Sequence, residues 1–223
     1  MSFGIAVSLR DDRPRENRAV DFFKRKAVAM AKLIVSILSS LDNYCAGPGG
    51  RLDELPMGPA FDAHNLELLR SAGILLFGAV TFPMFEAFWP NVDRSPTSEP
   101  VQREIAERVD AMRKIVVSDT LVLARTSPWA GAEVVSRKRA HARIADLKAR
   151  AGDDLLIFGS HILFNSLLAN GLVDELHLLV GNVVLGDGVR TFEPGLRPPF
   201  QLLGQRKLAD SDIAALHYDC RAH

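Results

Sequence analysis

Cysteine frameworks, charge bias, long apolar runs and the familiar nucleotide signatures are all missing from this chain. Only two cysteines, Cys45 and Cys220, occur in 223 residues, far apart and without metal-ligand neighbours. That excludes a disulfide scaffold and fits a reducing cytoplasm. Six histidines are scattered without the paired spacing of zinc sites, so no metal is expected. Basic and acidic residues balance at 27 each, so no net field draws the chain toward nucleic acid or an anionic membrane. The apolar run LIVSIL after Lys32 is far too short to span a bilayer, and no secretory pattern precedes it. The patterns G-x-G-x-x-G, G-x-x-x-x-G-K-[ST] and G-x-S-x-G do not occur. The usual Rossmann and Walker ways of holding a nucleotide are thereby set aside, as is an α/β-hydrolase elbow.

What remains is ordinary globular material. Apolar residues make up 48% and charged residues 24%, a composition able to supply a core. The length and short linkers suit one domain, assigned to residues 30–223. Residues 1–29 stand apart. Seven basic residues (Arg10, Arg13, Arg15, Arg18, Lys24, Arg25, Lys26) face four acids (Asp11, Asp12, Glu16, Asp21), leaving +3. This extension reads as a disordered tail, a short packed helix, or sequence ahead of a natural start at Met30. Its acids argue against a transit peptide.

From Lys32 a regular alternation begins. KLIVSILS reads as a strand, and GPGG (47–50) as a turn. Ala60 to Ser71 has helical spacing, with Phe61, Leu66 and Leu69 on one face. GILLF reads as a strand and TFPMFEAFW as an amphipathic helix. PVQREIAERVDAM follows as a helix with Pro100 at its start. KIVVS and AEVVS are short strands, HARIADLKARA a helix, and LLIFG a strand. SHILFNSLLANG reads as a helix with Ser160 as N-cap and Gly171 beyond its end. VDELHLLVGNVVL is strand-like, and FQLLGQRKLADSDIAALHYDC forms two strands about a turn near Asp210 to Asp212. Alternating strands and helices closed by a hairpin predict an α/β domain: a mostly parallel sheet with antiparallel strands at one edge.

Parallel sheets bind ligands at the carboxyl ends of their strands. Three such ends here carry a glycine or hydroxyl: Gly78-Ala79-Val80-Thr81, Ser118-Asp119-Thr120 and Gly159-Ser160. Each alone is an ordinary turn. Together they point to a phosphate-bearing nucleotide, because a helix N-terminus presents free N–H groups and a glycine lets backbone approach a ligand.

Four segments carry a family resemblance, in order along the chain: SLDNYCAGPGG, LLFGAVTFPMFEAFWP, KIVVSDTL and LLIFGSHILFNSLLANGLVDELHLLVGNVVLGDG. They resemble the dihydrofolate-reductase-like superfamily, nearest to the reductase domain of the riboflavin-biosynthesis deaminase-reductase (the RibD C-terminal domain) and its stand-alone relatives. The resemblance implies a three-layer α/β sandwich and a cytoplasmic, commonly homodimeric reductase. It would use NADPH or NADH on a small heterocycle. The first activity to expect is 5-amino-6-(5-phosphoribosylamino)uracil reduction. The alternatives are dihydrofolate-type reduction or a catalytically lapsed nucleotide-binding protein.

The resemblance also implies site residues. Gly78, Ala79, Val80, Thr81, Ser118, Gly159, Ser160, His161, Ile162 and Leu163 would hold the cofactor, with Ala46 beside the nicotinamide. Ser40, Phe61 and Trp89 would bound the substrate, and the acids Asp42 and Asp62 would orient or protonate it. Four departures bear on this. Ala79 replaces the arginine that reads the 2′-phosphate, Asp119 replaces a commonly basic residue, His161 stands where relatives commonly place a small residue, and Gly181-Asn182 replaces His-Pro. The first two predict weakened NADPH preference, unless Arg137 or Arg139 compensates.

Overall fold

The computed structural model describes residues 30–150 and 152–221. The reading of residues 1–29 as an extension therefore falls outside the described residues. The chain builds an eight-stranded sheet in the order β5-β4-β3-β6-β1-β7-β10-β9. Its strands are β1 (Leu33–Ser39), β3 (Ala72–Gly78), β4 (Arg113–Val117), β5 (Glu133–Val135), β6 (Asp154–Phe158), β7 (Glu175–Val180), β9 (Gln201–Lys207) and β10 (Ala214–Asp219). Pairings from β5 through β7 are parallel, and β10 runs antiparallel to both β7 and β9. That is the expected architecture. A small second ribbon pairs β2 (Tyr44–Ala46) with β8 (Val189–Arg190); nothing in the sequence reading anticipated it.

Period-2 alternation sends each central strand's apolar residues to both faces, as parallel sheets require. Ile74 and Leu76 pack on one side, with Ile115, Ile157, Phe164 and Leu167. Leu75 and Phe77 pack on the other, with Val116, Leu156, Leu66 and Val109. Helices α1 (Pro59–Ser71), α2 (Thr81–Phe88) and α3 (Pro100–Ala111) belong to the second face. Helices α4 (Arg137–Ala149) and α5 (His161–Ala169) belong to the first. The result is three layers.

Several boundaries differ from the sequence reading. Helix α4 begins at Arg137 rather than His141; its first turn, Arg137-Lys138-Arg139, has no apolar residue to reveal the period. Strand β7 stops at Val180, because the segment after it turns away as a loop. In the motif LVDEL, Asp174 is buried. It accepts a backbone bond from Leu33 (2.7 Å) and the Lys148 ammonium (2.7 Å), joining the start of β1 to the end of α4. No helix among the described residues is long and apolar enough to cross a membrane.

Candidate functional site

Strands β3 and β6 are neighbours, so their carboxyl ends lie side by side. The Gly78 N–H donates to Ser160 Oγ (3.2 Å), stitching the two ends together. Ser160 occupies the N-cap position of α5, yet its side chain makes no bond to its own helix. The expected capping role is thus corrected. Gly159 and Ser160 both adopt left-handed backbone, at φ 56° and 51°, a conformation that places Oγ toward β3 rather than along the helix. For a serine this conformation costs about 1 kcal/mol or more, and such outliers gather at ligand sites. A Cβ on Gly159 would meet no atom within 4 Å; the space beside it is open.

That space is a cavity of about 1040 Å³. Gly78, Ala79, Val80, Thr81, Gly159, Ser160, His161, Ile162 and Leu163 line it at the strand ends, together with Ala46 of β2. The first-turn N–H groups of α5, at His161 to Leu163, have no intrahelical acceptor and carry the positive end of the helix dipole. Its rim is apolar and bare: Val80 is 70% exposed, Ile162 59% and Phe88 54%.

The other end of the cavity is walled by α1, α2 and α3. Phe61, Phe85 and Trp89 line it, and Phe85 stacks on Phe158 at 6.1 Å between ring centroids. Asp62 and Asn65, one turn apart on α1, both reach it, as does Gln102 of α3. Asp62 Oδ2 accepts a long hydrogen bond from Gln102 Nε2 (3.3 Å). Burial raises the Asp62 pKa above the usual carboxylate value, Glu99 adds to the rise, and the Gln102 bond only partly opposes it. Asn65 is fixed by the Ser36 hydroxyl, which donates to its Oδ1 (2.8 Å).

Three expected residues do not line the cavity. Ser40 donates to Asp42 Oδ1 (2.7 Å), and the Asp42 carboxylate also accepts the N–H groups of Leu185 (3.1 Å) and Gly186 (2.7 Å). The Ser40 bond, with these two backbone donors, holds its pKa down to about 2. Asp42 thus ties its loop to the segment at Leu185 and Gly186, and lies outside the cavity lining. Ser118 turns its hydroxyl oxygen to the N–H groups of Thr120 (3.2 Å) and Leu121 (3.0 Å), closing a turn.

Arg137 and His141, one turn apart at the start of α4, also line the cavity. Arg137 was considered only as a compensating cation, and His141 was missed; their i, i+4 spacing is the signal once α4 is known to start at Arg137. Among the described residues Arg137 is the one Lys or Arg that lines the cavity. Its backbone N–H bonds Asp119 Oδ1 (2.9 Å), and its Nε lies 3.6 Å from Oδ2. The departure at Gly181 has a local cause: a Cβ there would meet Pro56 Cγ at 2.7 Å. A second hollow of about 320 Å³, beside Leu121 to Ala124, holds none of the expected residues.

Comparison with known proteins agrees with this architecture. The RibD C-terminal domain family model matches residues 31–213. The chain is similar to a solved structure from Shewanella sp. PV-4 ascribed to riboflavin biosynthesis. Identity is 25% and the TM-score 0.65, covering 86% of this chain and 99% of that one. It is also similar to the diaminohydroxyphosphoribosylaminopyrimidine deaminase/5-amino-6-(5-phosphoribosylamino)uracil reductase of Thermotoga maritima. There the values are 17% and 0.59, over 86% of this chain and 57% of that one. A dihydrofolate reductase of Enterococcus faecalis, solved with NADP(H), matches at 11% identity and TM-score 0.55, over 84% and 95% of the two chains.

Proposed function

The chain belongs to the RibD C-terminal domain family, and on that premise we propose that it is a nicotinamide-nucleotide-dependent reductase delivering hydride to a small heterocycle. One observation carries the reading: a single large cavity has a phosphate-compatible end at Gly78–Thr81 and Gly159–Leu163, continuous with an aromatic end that holds a half-buried acid, Asp62. The residues present fit a dinucleotide. The α5 N–H groups and the left-handed Gly159-Ser160 turn offer donors to a pyrophosphate. The cavity is also at the upper limit of ordinary ligand pockets, near 1,000 Å³. When bound, the nicotinamide would supply the hydride.

The chain's own part is to position and protonate. Phe61, Phe85 and Trp89 would hold a flat ring by stacking. Asp62, kept protonated to higher pH by burial, would donate to or protonate a ring nitrogen, with Gln102 and Asn65 fixing the ring edge. Among the described residues Arg137 is the only Lys or Arg lining the cavity, so a phosphoribosyl group on the substrate and a 2′-phosphate on the cofactor would compete for that partner. This favours an uncharged heterocycle over the phosphoribosylaminouracil of the Thermotoga protein's name.

The test is fluorescence titration with NADH and NADPH, followed by hydride-transfer assays against pyrimidine, pterin and conjugated imine acceptors. Oxidation of either nucleotide by an uncharged acceptor supports the reading. If neither nucleotide binds at millimolar concentration, the reading fails. Binding without turnover of any acceptor would instead mean a lapsed nucleotide-binding protein.

A further inference from the structure

Away from the cavity, strand pairing gathers histidines that lie far apart in sequence. Glu175 and His177 sit two residues apart on β7, on one face of the sheet. His217 on β10 is the cross-strand partner of His177. The two imidazoles stack at 4.2 Å between centroids, and His217 Nε2 lies 3.1 Å from Glu175 Oε2. One donor atom from each of the three residues falls within 4.8 Å of the others. Adjacent ligands on a tetrahedral Zn²⁺ with bonds of about 2.0–2.1 Å stand roughly 3.3 Å apart, so one edge of that polyhedron is already set. The other Glu175 oxygen is occupied by Lys32 Nζ (2.6 Å), which leaves Oε2 as the oxygen for an ion.

A fourth group adds an independent observation. His64 on α1 is only 4% exposed, and its ring lies 5.3 Å from that of His177. Its Nδ1 faces Arg206 Nη2 at 3.0 Å. A guanidinium can only donate, so Nδ1 is the acceptor and the neutral ring carries its proton on Nε2. That Nε2 is buried and has no hydrogen-bond partner among the described residues. A buried N–H without an acceptor is costly, and each one calls for a group to receive it.

We propose that Glu175, His177 and His217 form a divalent-metal site of the two-histidine, one-carboxylate kind, with Zn²⁺ the expected occupant and the His64 Nε2–H donating to a water or anion in its open position. The donor set, two imidazoles and one carboxylate, is that of open zinc and non-haem iron sites. His217 is about a third exposed, with 34% of its side chain accessible, and gives the ion an entry path. Lys32 and Arg206 bring two positive charges close by. They make the site weaker than a closed structural one, and reversible. None of these four residues lines the cavity. The site therefore stands or falls independently of the reductase reading.

The test uses the full chain, stripped by a chelator and titrated with Zn²⁺ by calorimetry, with Co²⁺ absorption as a second readout of coordination. One Zn²⁺ per chain is expected, with a Tm that rises on metal addition. His217→Gln and Glu175→Gln should each weaken Zn²⁺ by about tenfold or more, as should His64→Gln through the open-position ligand. His141→Gln and His161→Gln, remote from the cluster, should leave the metal affinity unchanged. His217→Gln lies on a part-exposed position, and its Tm in chelator should match the parent, which separates lost binding from lost folding. Absence of saturable Zn²⁺ uptake at sub-millimolar metal overturns the proposal. So does uptake that persists unchanged in both His217→Gln and Glu175→Gln.

Discussion

Asp62→Asn is the perturbation that tests the site most directly. The parent carboxyl is half-buried at a cavity wall that Phe61, Ile105 and Trp89 also line, with one weak donor in Gln102 at 3.3 Å. Burial outweighs that donor, so its folded pKa stands above the unfolded value. The sign of the linkage follows: between the two pKa values the native state holds the extra proton, and above both the buried carboxylate costs stability. Replacing it with neutral asparagine, nearly the same in shape, removes that cost at neutral pH. The Tm at pH 7.5 should therefore hold or rise, and the gain should fade as pH falls through the folded pKa toward the unfolded one. Catalysis should move the other way. A positioned acid is worth about 10²–10⁴-fold, or roughly 2.7–5.5 kcal/mol of barrier, so kcat should fall by at least about 100-fold with little change in nucleotide affinity. In the parent, kcat should decline as pH rises through the Asp62 pKa, and that limb should vanish in the variant. An unchanged kcat with the limb intact would refute the acid role. A lost kcat accompanied by a lower Tm at neutral pH would mark Asp62 as structural.

Other residues separate along the same line between site and scaffold. Asp42→Asn should leave kcat intact and lower stability at neutral pH. The Asp42 pKa is depressed to about 2, so the stability it contributes is present above its unfolded pKa and is lost as pH falls toward about 2; thermal melts from pH 7 to pH 2 check this. Gly159→Ala should cost about 1–2 kcal/mol, because φ 56° is left-handed, and should weaken nucleotide binding by placing a methyl in the cavity; paired melts and titrations distinguish the two effects. The parent should favour NADPH over NADH by less than about tenfold, and Ala79→Arg, by adding a charge-assisted bond worth about 1.5–3 kcal/mol, should raise that ratio by roughly 10- to 150-fold. An NADPH preference above tenfold in the parent would show that Arg137 already fills the role.

Most of the fold was legible because parallel strands buried on both faces read as unbroken apolar runs. LIVSILS, GILLF and LLIF need no partner information to be recognised. Strand β2 and strand β8 were not legible: three and two residues long, they exist only because they pair with each other. The strand-end glycines were found from sequence, since a glycine after an apolar run has few meanings. The role of Ser160 was misread, because composition cannot show that the residue turns left-handed. Asp42 and Asp62 looked alike as acids in turns or first helical turns. Only the fold shows that one spends its oxygens on Leu185 and Gly186 while the other faces the cavity. The histidines were the hardest case. His177 and His217 stand forty residues apart, and what joins them is antiparallel register.

The same contrast bears on how the proposed site would treat the two nicotinamide nucleotides. The end proposed for a pyrophosphate is made largely of backbone: α5 N–H groups, the Gly159-Ser160 turn and the strand end at Gly78. Backbone donors of that kind depend little on side-chain identity, except where the chain turns left-handed, as at Gly159. Reading a 2′-phosphate needs a full charge on a side chain, and that part of the site is exposed and replaceable. Here the charge rests on Arg137, 68% exposed at its side chain and facing Asp119 at 3.6 Å. A solvent-exposed pair of that kind is worth at most about 1 kcal/mol, so a phosphate dianion could displace Asp119 at small cost but would meet its repulsion afterwards. On the reading proposed above, binding of a dinucleotide would rest on backbone at the strand ends, and the choice between its two forms on a single ion pair at the head of α4.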